Sequence, residues 1–455
     1  MGDSVTSAAD SGTRPRVFLE DMGCQMNRLD SELVLGRLAG AGYERAGTAA
    51  DADLVLYYTC SVREHAEDKV YGRLGALKRM KQERPELRIG VMGCMAQNHQ
   101  EELFARAPHL DLVIGTSRFE DVVSLVEEAR SGKRVLAVDR KPLSFERDVT
   151  ARPRRHQAFV SVMRGCNKFC TFCIVPYTQG REQSRPIADV LEEARRLVDD
   201  GVVEITLLGQ RIDTYGADLR DGTNLAQLLT RLHEEVAGLV RICFLTSHPN
   251  HMTDELAAAI ADHPRISRYL HLPVQSGSDR MLQRMNRGYS VADYRSAVAT
   301  LRRRVPDLAL ATDWIVGFPG ETEEEFESSA ALLRELEFSG SFVFKYSPRE
   351  GTRAAEMADD VPRAVKEDRN QRLLALQLGM SAARKQQRIG LELEVLVEGP
   401  SKLDESVWSA RSAWNEIVCF KAAGDLQGML RKVRIQRATA LTLFGTPQDE
   451  QGAAR

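Results

Sequence analysis

Residues 157–173 read QAFVSVMRGCNKFCTFC. The first nine form a strand candidate, and the loop that leaves it carries Cys166, Cys170 and Cys173. Spacings of four and three residues let one loop wrap three thiolates around one inorganic cluster. Three ligands leave one iron of a four-iron cube without a protein thiolate, whereas a plain electron carrier uses four cysteines. An open iron can bind a substrate, by the logic that separates catalytic from structural metal sites. The competing reading is a zinc site or thiols buried for packing, and no fourth Cys or His stands at finger-like spacing to complete it.

Working outward, QAFVSVMRG opens a series of six strand candidates. The others are VVEITLLGQ (202–210), RICFLTSHP (241–249), YLHLPVQSG (269–277), ALATDWIVGF (309–318) and SGSFVFKYSP (339–348), with helical stretches such as VLEEARRLVDDG between them. Six strand–helix units are too few for a full eight-fold barrel and fit a partial (βα)6 barrel of the same handedness. The cysteine loop then lies on the face where barrel active sites are built.

Upstream, RVFLEDMGC, DLVLYYTC, LRIGVMGC and LDLVIGT alternate with helices, which implies a Rossmann-like parallel sheet. The first three end in Cys24, Cys60 and Cys94, so each cysteine reads as the last residue of its strand. Parallel strands end side by side, and the crevice beyond those ends is where open α/β sheets bind ligands. The three thiols are thus expected to converge on a second cluster, although free cysteines buried for packing would also fit. Downstream, a long helix from about Arg363 to Ile389 precedes LELEVLVEG, SVWSARS, NEIVCFKA, GMLRKVRIQRA and TALTLFG. Short strands with polar turns predict a small β-barrel. The expected division is a disordered leader 1–14, a first domain 15–140, a linker 141–156, a barrel 157–382, a C-terminal barrel 385–447 and a tail 448–455.

Lysine plus arginine is 62 and aspartate plus glutamate 65 in 455 residues, a net charge of −3. Bulk positive charge therefore does not drive binding to polyanions, and nucleic-acid contact must come from local patches. Eight cysteines are too few for a disulfide scaffold. No apolar run approaches the ~20 residues of a membrane span, and the polar start has no export signal. A cytoplasmic, reducing setting is expected, where cysteines more often bind metals or catalyse than pair. Cys243 and Cys419 lie inside strands and read as structural.

Cys-x3-Cys-x2-Cys after the first strand of a six-fold partial barrel resembles the radical S-adenosylmethionine enzymes. Both cysteine sets together resemble the methylthiotransferase subfamily, through GCQMNRLDSE, TCSVREHAEDKV, GCMAQ, SVMRGCNKFCTFCIVPYTQGRE, TSHP, LHLPVQSGSD, MNRGY, IVGFPGET and YSPREGT. Gln25-Met26-Asn27 is similar to the branch that acts on isopentenylated adenosine in tRNA. The branches for a ribosomal-protein aspartate and for threonylcarbamoyl-adenosine typically read Pro-Lys-Asn and Lys-Val-Asn there. Three departures from the family pattern are Gln179 for arginine, the QRIDTYG run with Arg211, and Ala410 for glycine. None removes a cysteine ligand.

The resemblance implies methylthiolation of carbon 2 of N6-isopentenyladenosine at tRNA position 37. It implies two [4Fe-4S] clusters, one on Cys166, Cys170 and Cys173 and an auxiliary one on Cys24, Cys60 and Cys94. It implies two molecules of S-adenosylmethionine, one to methylate a sulfur and one to yield the radical that abstracts hydrogen. Gly209, Gln210, Ser247, Gln275, Ser276, Gly317 and Phe318, at strand ends, are the expected cofactor contacts. The C-terminal barrel resembles the TRAM RNA-binding module, with Arg431, Lys432, Arg434 and Arg437 as a basic strand suited to phosphates. Arg152, Arg154 and Arg155 could also meet phosphate, while Trp408 and Trp414 read as core and Arg302–Arg304 as helix surface. The expected partners are the tRNA anticodon loop, a low-potential electron donor and a sulfur source; no membrane is expected, and the chain is expected to be a monomer. Other classes remain open: a methylthiotransferase of another substrate, a two-cluster protein without turnover, or an RNA-binding protein with structural zinc.

Overall fold

The computed structural model describes residues 14–23, 25–59, 64–141 and 151–448, without the side chains of 64–66. The leader up to residue 13, linker residues 142–150 and the tail from 449 lie outside them. The chain divides into two compact units, Met1–Arg152 and Pro153–Arg455.

The first unit is built on β1 (Arg16–Met22), β2 (Glu44–Arg45), β3 (Leu54–Thr59), β4 (Arg88–Gly93), β5 (Leu112–Ile114) and β6 (Val135–Ala137). All pair in parallel in the order β2-β1-β3-β4-β5-β6. β3 is buried at every position, as a central strand covered on both faces must be. On one face Val70, Leu74, Leu77 and Met95 pack against Val55, Tyr57, Ile89 and Val91. The strand order reverses between β1 and β3, and such a switch point opens a crevice at the strand ends. There the ends are level, with Met22 paired to Thr59 and Thr59 to Gly93.

One expectation needs correction. The strands stop short of the cysteines: β1 ends two residues before Cys24, β3 one before Cys60, and Cys94 opens the short helix Cys94–His99. Gly93 makes this break. Its φ is +93°, and a Cβ there would meet the Thr59 carbonyl oxygen at 2.6 Å. Only glycine can turn the chain here.

The second unit opens with β7 (Gln157–Ser161), β8 (Met163–Arg164) and β9 (Gln183–Ser184). QAFVSVMRG is therefore two strands, not one. At Val162 the chain leaves the barrel, and β8 pairs antiparallel with β9. The remaining barrel strands are β10 (Glu204–Leu208), β11 (Arg241–Phe244), β12 (Tyr269–His271), β13 (Ala309–Val316) and β14 (Gly340–Lys345). β7-β10-β11 and β12-β13-β14 are two parallel halves, joined where Ile242 bridges Ile266 and the Ser247 N–H donates to the His271 carbonyl at 3.1 Å. All six expected barrel strands are present.

Alternation sorts their side chains. Ala158, Val160, Ile205, Leu207, Ile242, Phe244, Leu310 and Trp314 join the core beneath the helices. Phe159, Thr206, Cys243, His271, Asp313 and Phe342, the alternate set, face the lumen and keep some exposure. Helix starts are fixed locally. Ser290 with Asp293, and Thr322 with Glu325, form capping boxes in which side chain and backbone bond reciprocally.

The helix Arg363–Gln386 packs on the outer face of β14, where Asn370 Nδ2 donates to the Val343 carbonyl at 2.8 Å. It leads to a closed five-stranded barrel of β15 (Glu392–Pro400), β16 (Trp408–Ser412), β17 (Ile417–Phe420), β18 (Leu430–Ala438) and β19 (Thr442–Pro447), with β18 closing on β15. This small barrel meets the N-terminal ends of the large barrel's strands. Ser267 Oγ donates to the Ala413 carbonyl at 2.9 Å, and Trp414 Nε1 to Asp307 at 3.0 Å. Beside these contacts lies a charged floor. Arg411 Nε donates to Glu398 at 2.7 Å, Arg154 lies 3.7 Å from Glu398, and Glu204 takes Gln157 at 2.6 Å and Arg241 at 3.3 Å. Among the described residues no helix is long and apolar enough to cross a membrane.

Candidate active site

The cysteine loop begins where β8 ends. Gly165 has φ +81°, and a Cβ there would lie 2.0 Å from the Arg181 carbonyl oxygen. The Cys166 N–H then donates to the Gly180 carbonyl at 3.1 Å, which ties the loop to the segment entering β9. Further along, the Thr171 N–H and Oγ1 donate to the carbonyls of Met285 and Arg284, both at 3.0 Å. Asn286 Nδ2 donates to the Phe169 carbonyl at 2.8 Å. The segment 284–287 therefore straps the loop from behind.

That strap also carries Arg287. Its Nη1 lies 3.3 Å from Cys170 Sγ, its Nε 3.1 Å from the Tyr289 hydroxyl, and its Nη2 3.3 Å from the Pro273 carbonyl. The buried guanidinium thus places a positive charge directly against this sulfur. The Lys168 N–H donates to Cys166 Sγ at 3.4 Å. Burial works against ionisation of these thiols, and at Cys166 the nearby Arg211 offsets part of it. Burial pushes Cys173 up to about 12, helped by the neighbouring Cys170, and burial also raises Cys166. All three cysteines belong to this one strapped loop. Among the described residues no three Cys, His, Asp or Glu side chains gather about a single ion. A cube whose three irons each take one thiolate asks for a wider spread.

The expected cofactor contacts all lie at the same end of the barrel. Gly209 and Gln210 follow β10, Ser247 follows β11, Gln275 and Ser276 follow β12, and Gly317 and Phe318 follow β13. Gln210 Oε1 and Ser247 Oγ are buried without a hydrogen-bond partner, as is His248 Nε2. Unsatisfied buried polar atoms are uncommon in folded proteins, and these three lie where a ligand or a water would complete them. Ser276 Oγ accepts from the Ser278 N–H at 3.2 Å, and the Gln275 backbone bridges Asp313 and Ile315. The Phe318 ring differs from the rest: it is fully buried against Tyr346, Met281 and Met285, so only its backbone is left for a ligand. Burial, with Arg287 nearby, pushes His248 down to about 2, so it stays neutral.

In the first unit, Asn27 Nδ2 donates to the Thr59 carbonyl at 2.9 Å, and Thr59 Oγ1 donates to the Met92 carbonyl at 2.9 Å. These bonds tie the helix Gln25–Gly40 to β3, and β3 to β4, at the end where the cysteines follow. Cys94 is buried there. Cys24 and Cys60 lie outside the described residues. Cys243 and Cys419 take no part: Cys243 lies in the lumen wall, where burial raises it to about 12, and Cys419 is buried in β17.

The basic strand is less free than its sequence implies. Arg434 donates to Glu392 at 2.8 Å, Lys432 pairs in register with Glu394, and the Arg437 guanidinium covers Phe444 at 3.7 Å. Arg431 Nη1 donates to the Leu430 carbonyl. Arg154 is held by Gln157 and Glu398, and Trp408 and Trp414 pack on the small barrel's core. Arg287, His248 and Asn27 were not singled out from sequence. Their signals were the MNRGY, TSHP and GCQMN phrases, whose spatial partners only the fold supplies.

A six-strand partial barrel with three cysteines in the loop after its first strand defines a radical S-adenosylmethionine protein. Residues 160–333 match the Radical SAM superfamily, and residues 16–115 match the Uncharacterized protein family UPF0004. The chain is 44% identical over 431 residues to a tRNA-2-methylthio-N(6)-dimethylallyladenosine synthase of Moorella thermoacetica, covering 94% of this chain and 97% of the relative. The protein of the same description from Rhodopirellula baltica is 44% identical over 454 residues, covering 94% and 95%. The chain belongs to this family of radical S-adenosylmethionine methylthiotransferases. Membership implies S-adenosylmethionine and a [4Fe-4S] cluster, which the three-thiol loop and the orphaned polar atoms fit. In fold the chain is similar to the radical S-adenosylmethionine methyltransferase TsrM from Kitasatospora setae, with TM-score 0.55, 14% identity, and 75% and 77% of the two chains covered. It is also similar to the cobalamin-dependent enzyme OxsB, with TM-score 0.51, 14% identity, and 79% and 55% covered.

Proposed function

We infer that the chain is a tRNA methylthiotransferase. It converts N6-isopentenyladenosine at position 37, next to the anticodon, to the 2-methylthio product. The observation that carries this reading is 44% identity over nearly the whole length of relatives that bear this activity in their description. The presence of all six cysteines supports it.

When bound, the iron–sulfur cluster and S-adenosylmethionine supply the radical chemistry that an unactivated aromatic C–H bond requires. The rest falls to the chain's own residues. Cys166, Cys170 and Cys173 hold the cluster, and Arg287 offsets the charge on Cys170. Gln210 and Ser247 bind the polar end of S-adenosylmethionine, and Gly209, Gln275, Ser276, Gly317 and Phe318 line its place. His248, being neutral, offers a hydrogen bond rather than a proton. Cys24, Cys60 and Cys94 hold an auxiliary cluster, supported by the level ends of β1, β3 and β4. The functional divisions are 15–140, 157–382 and 385–447, with the last contributing RNA contacts. A low-potential electron donor, a sulfur source, a cytoplasmic setting and a monomeric state complete the reading.

The test is anaerobic incubation of reconstituted protein with S-adenosylmethionine, a reductant and isopentenylated tRNA. Mass spectrometry of the nucleosides is expected to show a methylthio group. It is expected to vanish in Cys24→Ala while 5′-deoxyadenosine still forms. Colourless protein with zinc and no inorganic sulfide, or S-adenosylmethionine left intact under reduction, would overturn the reading.

A further inference from the structure

We propose that Phe342 and Phe344, on the lumen face of β14, form the subsite that holds the dimethylallyl group of the substrate base. This rests on the function inferred above.

β14 is an edge strand. It pairs with β13 on one side and, among the described residues, with no strand on the other. A half-barrel that stays open beside its last strand gives a bulky nucleic acid a lateral way in. The outer face of β14 is already covered. Ser341 Oγ donates to Gln377 at 2.6 Å, and Val343 packs against the core beneath the helix Arg363–Gln386. The inner face is not. Phe342 is 55% exposed and Phe344 46%, while Phe244, Phe318, Phe326 and Phe338 in the same unit are fully buried. Two neighbouring phenyl rings left open in a packed barrel mark a surface built to be covered.

Their surroundings say by what. In register, Phe342 stands beside Asp313 and Phe344 beside Ile315. The His271 ring meets Phe342 edge-on at 5.9 Å, and His271 Nε2 is bonded to Asp313 at 2.8 Å, so Phe342 is held in place from one side. Ile315 belongs to an apolar cluster with Phe172, Met281 and Phe318. Phe172 lies between Cys170 and Cys173. An apolar strip therefore runs from the open edge, through Phe342, Phe344 and Ile315, to the cysteine loop. The substrate described for the relatives carries one branched apolar substituent, the dimethylallyl group on N6 of the adenine. On an otherwise polar RNA loop it is the group such a strip would select. Seating it there points the adenine ring toward the cysteine loop.

The test uses the reconstituted full chain with S-adenosylmethionine and two anticodon stem-loops, one with the N6-dimethylallyl group and one with plain adenosine. Binding is read by fluorescence anisotropy. The wild type is expected to prefer the prenylated RNA by about tenfold or more, from the apolar area covered. The F342A/F344A double variant is expected to lose most of that preference while binding plain RNA as before, and Phe344→Leu to keep most of it. Iron content and the visible spectrum check that the site is intact. Retained preference in the double variant overturns the proposal. So does equal weakening toward both RNAs, which would make the rings a general platform for bases. A wild type that forms product yet binds both RNAs alike overturns the subsite alone. A wild type that forms no product overturns the functional reading with it.

Discussion

The two cysteine sets would reach similar ends by opposite routes. Cys166, Cys170 and Cys173 lie within one loop, whose shape is set by Gly165 and by the strap at 284–287. Cys24, Cys60 and Cys94 are separated by 36 and 34 residues, and to meet on one cluster they would depend on three strands stopping at the same level. A loop motif is written in consecutive residues and survives small shifts of the sheet. A register motif does not: a slip of one residue sends each side chain to the opposite face. Legibility and robustness go together.

The largest effect should come from removing one thiol of each kind. Cys170→Ala is expected to cut iron by about half, from about eight to about four per chain, and to abolish formation of 5′-deoxyadenosine. Cys94→Ala should cost a similar share of iron yet leave that cleavage within about twofold. Iron and sulfide assays with product chromatography read both. Equal loss of cleavage in the two variants would break the distinction.

Next in size are the glycines that set up each triad. Gly93→Ala places a Cβ against the Thr59 carbonyl in a left-handed backbone, and Gly165→Ala does the same against Arg181. Each is expected to lose about 2–4 kcal/mol, from backbone strain plus the clash. Hydrogen exchange would locate the difference. Gly93→Ala should loosen amides in β1, β3 and β4 together, whereas Gly165→Ala should affect only its loop and the hairpin of β8 and β9.

The smallest concerns Glu321, behind the β13 end of the site. Burial raises its carboxyl to about 7, against the pull of the Gly317 N–H at 2.6 Å and Arg369 at 2.9 Å. A carboxyl raised on folding contributes stability that is full below its unfolded value, near 4.5, and is lost as pH rises through about 7. Glu321→Gln should remove this dependence, a difference of about 2–3 kcal/mol between acid and neutral pH. Melting temperature against pH, wild type beside variant, measures it.

Most of the architecture was legible because strand–helix alternation and the short strands at the C-terminus follow simple periods. What escaped was too short or too distant. β2 and β6 have two and three residues, below any usable period. The break at Val162 hid inside a continuous apolar run. It shows only when the Val162 N–H is seen to join the Leu208 carbonyl and its own carbonyl to accept from Arg185. Arg287 meets a cysteine 117 residues away. Glu392 and Glu394 oppose the basic strand only because β18 closes on β15. Phe342 and Phe344 were not singled out from sequence: strand alternation puts them on one face but does not say which face is the lumen.

The charged floor between the two barrels bears on how the chain can be shortened. Arg411 and Glu398 come from the small barrel, and Glu204 and Arg241 from the large one. A chain cut after the long helix would lose not only the small barrel but also the stopper that it forms. The channel would then be open from below as well as from the side, and a radical made at its top would sit in a through-draught of water and thiols.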